Sequence, residues 1–157
     1  MRLLQYLFVA ALTAAAVSPA IAQNNIEENA AIMRAVQQKD AKALISENLN
    51  LTESQAKAFW PVYDRYDAKR AKIDDRIDAV LQDYHLTCEQ QSCDQKAGQL
   101  LNEWMRARHD LDKLRQTYIA EFAHAIPPTK VLRLYQIEGL REAVIRIDRF
   151  KKVPLAK

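Results

Sequence analysis

The chain has two cysteines, Cys88 and Cys93, which lie five positions apart and close to His85. In an oxidising compartment such a pair is expected to form a disulfide. Residues five positions apart on one helix point about 140° apart, so a bridge predicts that residues 86–92 are not helical and that a helix begins near Ser92. A weaker alternative is a metal site of His85 and both cysteines, since thiolates and imidazole bind zinc or copper(I). That site is one ligand short of a closed tetrahedral zinc site, so no cofactor is predicted.

The carboxylates that could serve acid–base catalysis have the wrong surroundings for it. Asp74, Asp75 and Asp78 lie within about one helical turn, but Lys72 and Arg76 lie beside them, as on a solvated helix face. The sequence also contains no phosphate loop, no nucleophile elbow and no pair of histidines at i and i+4. We therefore predict a protein that is not an enzyme and has no catalytic residues.

The first 22 residues have the pattern of a secretory signal peptide. Arg2 supplies the positive start, residues 3–17 are mainly apolar, and Ala20 and Ala22 are the small residues that a signal peptidase reads. An uncleaved membrane anchor is less favoured, because the apolar stretch is shorter than the roughly 20 residues that span a bilayer. We predict cleavage between Ala22 and Gln23 and a periplasmic location.

The charge of the chain is too balanced to indicate a nucleic-acid-binding protein. The formal net charge is +3, and removal of Arg2 with the signal lowers it to about +2. Residues 141–157 are locally basic, which fits the solvated end of a helix because cations favour a helix C-terminus. Contact of this segment with an anionic membrane surface is a weaker alternative.

Length and residue pattern predict one all-α domain over residues 23–157. The sequence has two glycines and no run of alternating apolar and polar residues typical of a half-buried strand. Residues 26–47 predict one or two short helices, and we expect residues 23–48 and 151–157 to be loosely held.

Two long helices and a third shorter one are predicted after residue 50. Thr52 and Gln55 form a capping box that starts the first helix, and Pro61 predicts a bend near Trp60. The second helix is predicted over residues 94–125 and the third over 129–150, separated by two prolines. A seam with alternating spacings of four and three residues predicts that the first helix lies along another in a long hairpin. The seam consists of Phe59, Tyr63, Tyr66, Arg70, Ile73, Ile77, Val80 and Tyr84.

The predicted third helix is apolar over an arc wider than one seam. Its apolar residues run from Val131 to Ile147 and include Leu132, Leu140 and Val144. Such an arc indicates two packing partners, one within the chain and one outside it. We therefore predict a homodimer.

These motifs resemble the Spy/CpxP group of periplasmic proteins with the LTxxQ motif. Leu51-Thr52-Glu53-Ser54-Gln55 matches the motif in full, with Leu51, Thr52 and Gln55 at its fixed positions. The phrase over residues 58–63 resembles an uncharacterised proteobacterial branch, and residues 126–130 occupy the place of the second motif. That second motif is degraded, a literal second copy occurs at residues 86–90, and no His-rich or Met-rich tract is present. The resemblance covers roughly residues 40–150.

The resemblance implies a Spy/CpxP-like fold, a long antiparallel helical hairpin with a short N-terminal and a third C-terminal helix, in cradle-like dimers. It implies an ATP-independent envelope-stress chaperone for unfolded or misfolded proteins. The alternative is a regulatory or metal-responsive sensor partner of an envelope signalling receptor. The residues that could contact a client are mostly aromatic, although the spacing of most of them also fits a helix–helix core. They are Phe59, Trp60, Tyr63, Tyr66, Arg70, Trp104 and Tyr135.

Overall fold

The computed structural model describes residues 19–36, 40–89, 93–151 and 153, leaving aside the side chains of residues 19–27, 88, 89 and 95. Every regular element in these ranges is a helix, which confirms the predicted all-α class. Within these ranges, no helix is long and apolar enough to cross a bilayer. The helices are α1 (Pro19–Val36), α2 (Ala41–Leu49), α3 (Glu53–Glu89), α4 (Cys93–Ala125) and α5 (Pro128–Phe150).

The two longest helices, α3 and α4, pack side by side in opposite directions. Arg65 near the start of α3 pairs with Glu121 near the end of α4, with 3.1 Å between Nη2 and Oε2. Asp83 near the end of α3 pairs with Lys96 near the start of α4, with 3.4 Å between Oδ1 and Nζ. Residue numbers therefore rise along one helix as they fall along the other, which defines an antiparallel pair.

Helix α5 lies along this pair and runs antiparallel to α4. The ring centroids of Trp104 and Phe150 are 5.8 Å apart, and those of Phe122 and Tyr135 are 6.4 Å apart. The contacts of α5 with α3 are mainly polar. From one contact to the next, residue numbers increase in the same direction along both helices, so α3 and α5 run parallel.

The start of α3 has the predicted capping box. The backbone N–H of Gln55 donates to Thr52 Oγ1 at 3.3 Å, and the backbone N–H of Thr52 donates to Gln55 Oε1 at 3.2 Å. Lys130 also donates to Gln55 Oε1 at 2.8 Å and to the carbonyl of Asn50 at 2.5 Å. The motif therefore connects the starts of α3 and α5. Helix α3 continues through Pro61, and the predicted bend stays a prediction.

Part of the N-terminal segment is better packed than expected. In α2, Leu44, Ile45 and Leu49 are at most 1% exposed and belong to the main core. Asp40 caps α2 by accepting the backbone N–H of Ala43 at 2.8 Å. The expectation of a loose segment over residues 23–48 is thus corrected for α2, because its three apolar side chains are in the core. Residues 37–39, 152 and 154–157 lie outside the described ranges.

Helix α3 also extends further than predicted. It remains helical to Glu89, whereas residues 86–92 were expected to be non-helical. Helix α4 begins at Cys93, one residue after the predicted start near Ser92. Because the two cysteines lie on different helices, a bridge does not require residues 86–89 to leave the helix. Residues 90–92 lie outside the described part of the chain.

The predicted signal peptide falls mostly outside the described ranges. Residues 1–18 are not described, and α1 spans the predicted cleavage position between Ala22 and Gln23. Export, cleavage and periplasmic location therefore stay predictions.

Both glycines lie in helix interiors where a methyl group would meet nothing. A Cβ added to Gly98 in α4 or to Gly139 in α5 would have no heavy atom within 4 Å. Replacing each glycine by Ala is expected to stabilise the fold by roughly 0.5–1 kcal/mol, because Ala has less backbone freedom to lose. Urea unfolding of G98A, G139A and the double variant measures the effect. A loss of stability in either single variant would contradict the described surroundings.

Candidate functional site

Four of the seven residues predicted to contact a client are buried in the core. Phe59, Tyr63, Tyr66 and Arg70 are each at most 1% exposed. In this conformation they pack in the helix–helix interface, because alternating steps of three and four residues place side chains along the line of contact between two helices. Contact of these four residues with a client stays a prediction.

The aromatic members of this seam form a continuous cluster between α3 and α4. Tyr66 lies 5.4 Å from Tyr118 and 5.6 Å from Phe122, measured between ring centroids. Phe59 also lies 5.6 Å from Phe122. These tilted and edge-on contacts stabilise the pair beyond the effect of area burial. The cluster therefore holds the two long helices in register.

A buried ion pair continues the seam beyond the aromatic cluster. Arg70 Nη1 donates to Glu138 Oε2 of α5 at 2.8 Å, and Tyr63 Oη donates to Glu138 Oε1 at 2.8 Å. Burial and the negative charge of Glu138 raise the pKa of Tyr63. Burial opposes the charge of Arg70, but Glu138 and Asp74 outweigh it and raise the pKa of Arg70. The Tyr63 hydroxyl and the Arg70 guanidinium thus keep their protons. The Arg70–Glu138 ion pair fixes α5 against α3.

The remaining three predicted contact residues are partly exposed and lie apart from one another. Trp60 is at the edge of the aromatic cluster, with Lys42 Nζ 5.7 Å from its ring centroid. Tyr135 donates to the backbone carbonyl of Arg115 at 2.5 Å and packs against the core. Trp104 packs edge-on against Phe150 near the other end of the bundle. The seven residues therefore do not form one site.

On a different surface, large apolar side chains are exposed to solvent. Six of them, on α4 and α5, are 41–62% exposed. We refer to these six as the outer apolar face. They are Leu101, Met105, Ile119, Leu132, Ile147 and Phe150.

The six residues flank the line along which α4 and α5 meet. On α4, Leu101, Met105 and Ile119 share one side of the helix at about 100° per residue, next to the side that faces α5. On α5, Leu132 and Phe150 point in about the same direction at 100° per residue, and Ile147 lies about 60° from them. Both sets lie on the side away from α3. Along α4, Ile119 lies about 21 Å from Met105, so the six residues form two groups towards the two ends of this side rather than one continuous patch.

Charged side chains lie within this surface along the line where α4 and α5 meet. Arg108 Nη1 lies 3.7 Å from Glu142 Oε1, and Arg115 pairs closely with the same carboxylate. Burial would raise the pKa of Glu142, but the hydrogen bond and charge of Arg115, together with Arg108, lower it. Apolar contacts and fixed charges therefore alternate across the face.

A separate apolar groove lies where the ends of α3 and α5 meet the start of α4. Its volume is about 360 Å³, and Val153 and Cys93 lie at its wall. We refer to it as the tip groove. Its other main lining residues are Val80, Tyr84, Leu100, Leu101, Trp104 and Phe150.

The described part of the chain offers no metal site. Among its side chains, no group of three His, Cys, Asp or Glu residues lies together. Cys93 is disulfide-bonded, and a disulfide sulfur is not a thiolate ligand. The side chain of Cys88 lies outside the description, so the Cys88–Cys93 pairing and the alternative site with His85 stay predictions.

We predict that the buried tyrosines ionise at a higher pH than exposed tyrosines do. Burial, with the charge of Glu138, raises the pKa of Tyr66 from 10.0 to about 12, and Tyr63 is raised as well. The neutral phenols therefore contribute stability that is complete below pH 10 and is lost as the pH rises towards 12. Ultraviolet absorbance during titration should show these phenols ionising late, with loss of helical circular dichroism. The Tyr66→Phe variant should lack part of that late phase, and full ionisation near pH 10 in a folded chain would contradict the burial.

Sequence reasoning missed two features of the surface and core. Glu138 was not singled out, although a carboxylate within the apolar arc of α5 signals a buried partner such as Arg70. Leu101, Met105 and Ile119 were also missed, because their exposure depends on where α5 packs. The wide apolar arc of α5 was the available signal for the outer apolar face.

Comparison of the chain with protein-family models, characterised proteins and solved structures gave no match.

Proposed function

We propose that the protein is a non-enzymatic holding chaperone that binds apolar segments of unfolded or misfolded proteins on its outer apolar face without ATP. The exposure of the six large apolar side chains of that face supports the proposal. The proposed setting is the bacterial periplasm, to which the signal of residues 1–22 would direct it. This function is the one implied by the resemblance to the Spy/CpxP group, and the hairpin arrangement of that group is proposed with it.

The chemistry of the outer apolar face suits many partners rather than one. Single apolar side chains spaced along two rigid helices bind by area alone and impose little geometry on a partner. Met105 adds a flexible thioether that adapts to irregular shapes. The charges of Arg108, Arg115 and Glu142 interrupt the apolar surface. Contacts of this kind are individually weak, so a client can leave and refold.

Suppression of aggregation tests this function. A chemically unfolded client diluted into buffer should scatter less light when the purified protein is present at near-stoichiometric ratio and no nucleotide is added. Folded client should not bind. Unchanged aggregation at a large molar excess of the protein would contradict the proposal.

The regulatory alternative differs in the number of partners. A sensor partner of an envelope receptor would bind one protein with a defined interface, whereas a holding chaperone captures many. In-cell crosslinking from Trp60 and Tyr135, which are both partly exposed, separates the two outcomes. Recovery of a single receptor from both positions would favour the regulator.

The predicted homodimer remains part of the proposal. The apolar residues of α5 divide between buried positions such as Leu134 and Ile137 and exposed ones such as Leu132 and Ile147. A second copy seated on the outer apolar face would therefore compete with clients. Sedimentation velocity with and without an unfolded client measures this competition directly.

A further inference from the structure

The tip groove has the chemistry of a site for an alkyl chain. Three helices contribute its walls, and nearly all the lining side chains are aliphatic or aromatic. Leu100 is only 5% exposed and forms part of the wall, while Leu101 is 55% exposed at the edge. The volume of about 360 Å³ lies at the lower end of the roughly 300–1,000 Å³ typical of small-molecule sites. One chain fits this space better than the paired chains of a phospholipid.

One cation lies next to the α5 wall of this groove. Arg146 is exposed and lies one helical turn before Phe150, so the two side chains are neighbours on α5. Lys151 follows Phe150 directly, so its side chain points about 100° away from that of Phe150, and its Nζ lies 3.2 Å from Asp148 Oδ1. Among the described residues, Arg146 forms no ion pair within 4.0 Å, although Glu142 lies one turn earlier. An anionic head group placed here would meet positive charge while its tail enters the groove.

We propose that the tip groove binds a free single-chain amphiphile with an anionic head, of which a medium-chain fatty acid is the simplest example. The alkyl tail lies between Trp104, Leu100 and Val80. The carboxylate lies at the mouth, near Arg146. This binding does not depend on the proposed chaperone function, because most of the outer apolar face lies outside the groove.

Titration calorimetry with dodecanoate and dodecanol tests the proposal, both below the concentrations at which they form micelles. Saturable binding of dodecanoate is expected. The Leu101→Asp variant should weaken it by about tenfold or more, since the bound alkyl chain would desolvate a carboxylate at the groove edge. Leu132→Asp is the matched control, because Leu132 on α5 is 62% exposed, close to the 55% of Leu101, but does not line the groove. It should leave binding unchanged.

The head group is tested by a charge-neutral variant. Arg146→Gln should weaken dodecanoate binding several-fold and leave dodecanol binding unchanged. Lys151→Gln is the matched control, because this side chain points away from the groove, and it should change neither. Circular dichroism checks that each variant is folded. The proposal is overturned by any of three results: no saturable binding of dodecanoate, equal losses in the Leu101 and Leu132 variants, or equal effects of Arg146→Gln on the binding of acid and alcohol. Binding to anionic vesicles without binding to the monomeric acid would assign the surface to a membrane instead.

Discussion

Replacing Glu138 by Gln is expected to lower the free energy of unfolding by about 3–5 kcal/mol, the usual cost of removing one partner from a buried ion pair. Glu138 is 3% exposed and Arg70 is 1% exposed, so water cannot replace the lost carboxylate, and Asp74, 3.6 Å from Arg70 Nε, compensates the guanidinium only in part. The variant also weakens the acceptor of the Tyr63 hydroxyl. Urea denaturation followed by circular dichroism measures the loss.

Two further variants test whether the loss of stability comes from an unpaired buried charge. Asp110→Asn removes a partner of Arg76 at 2.7 Å in an exposed pair, and should cost no more than about 1 kcal/mol. Replacing Arg70 and Glu138 together by Met should cost much less than the single Glu138 variant, because no unpaired charge remains. A Glu138→Gln variant as stable as Asp110→Asn would show that the pair is not buried as described.

Placing two carboxylates on the outer apolar face is expected to reduce client holding at least about tenfold. Ile119→Asp with Leu132→Asp removes two large apolar side chains, and burial of each such side chain contributes roughly 1.5–3 kcal/mol. A change of 1.4 kcal/mol is about tenfold in affinity. The concentration of protein needed for half-suppression of client aggregation measures the effect. Both residues are exposed, at 47% and 62%, so the fold should be retained.

The matched control places the same charges on the opposite side of the bundle. Ala68 and Ala79 are exposed residues of α3 on the side away from the core seam. The Ala68→Asp and Ala79→Asp double variant should suppress aggregation as well as the unchanged protein. Equal loss in both double variants would mean that net charge, and not the outer apolar face, governs holding.

The regular seam of α3 was predictable because it depends only on local spacing. Residues at alternating steps of three and four must share one side of a helix, whatever lies beside it. The capping box at Thr52 and Gln55 was predictable for the same reason, since its hydrogen bonds lie within four consecutive residues.

Exposure was harder to predict because it depends on how distant elements pack. The sequence marks Tyr63 and Tyr66 as suitable for either a core or a client, and only the position of α4 decides between them. In the same way, Leu132 and Leu134 are equivalent by composition, but one is 62% exposed and the other 1%. Arg70 was recognisable as a charge in the seam. Its partner lies 68 positions away, beyond the reach of any local pattern.

The segment around the cysteines shows the limit of a correct geometric rule. Two residues five positions apart cannot be bridged on one helix, but the break need not include both of them. Helix α3 reaches Glu89, and in its last turns the Thr87 hydroxyl donates to Asp83 Oδ1 at 3.0 Å.

Site-specific photocrosslinking tests the central claim, that unfolded proteins bind the outer apolar face. A photoreactive residue at position 119 or 132 should capture an unfolded client in high yield, with little capture from position 68 on α3. Folded client should give no product at any position. Equal capture from position 68, or none from 119 and 132 while aggregation is still suppressed, would contradict the claim.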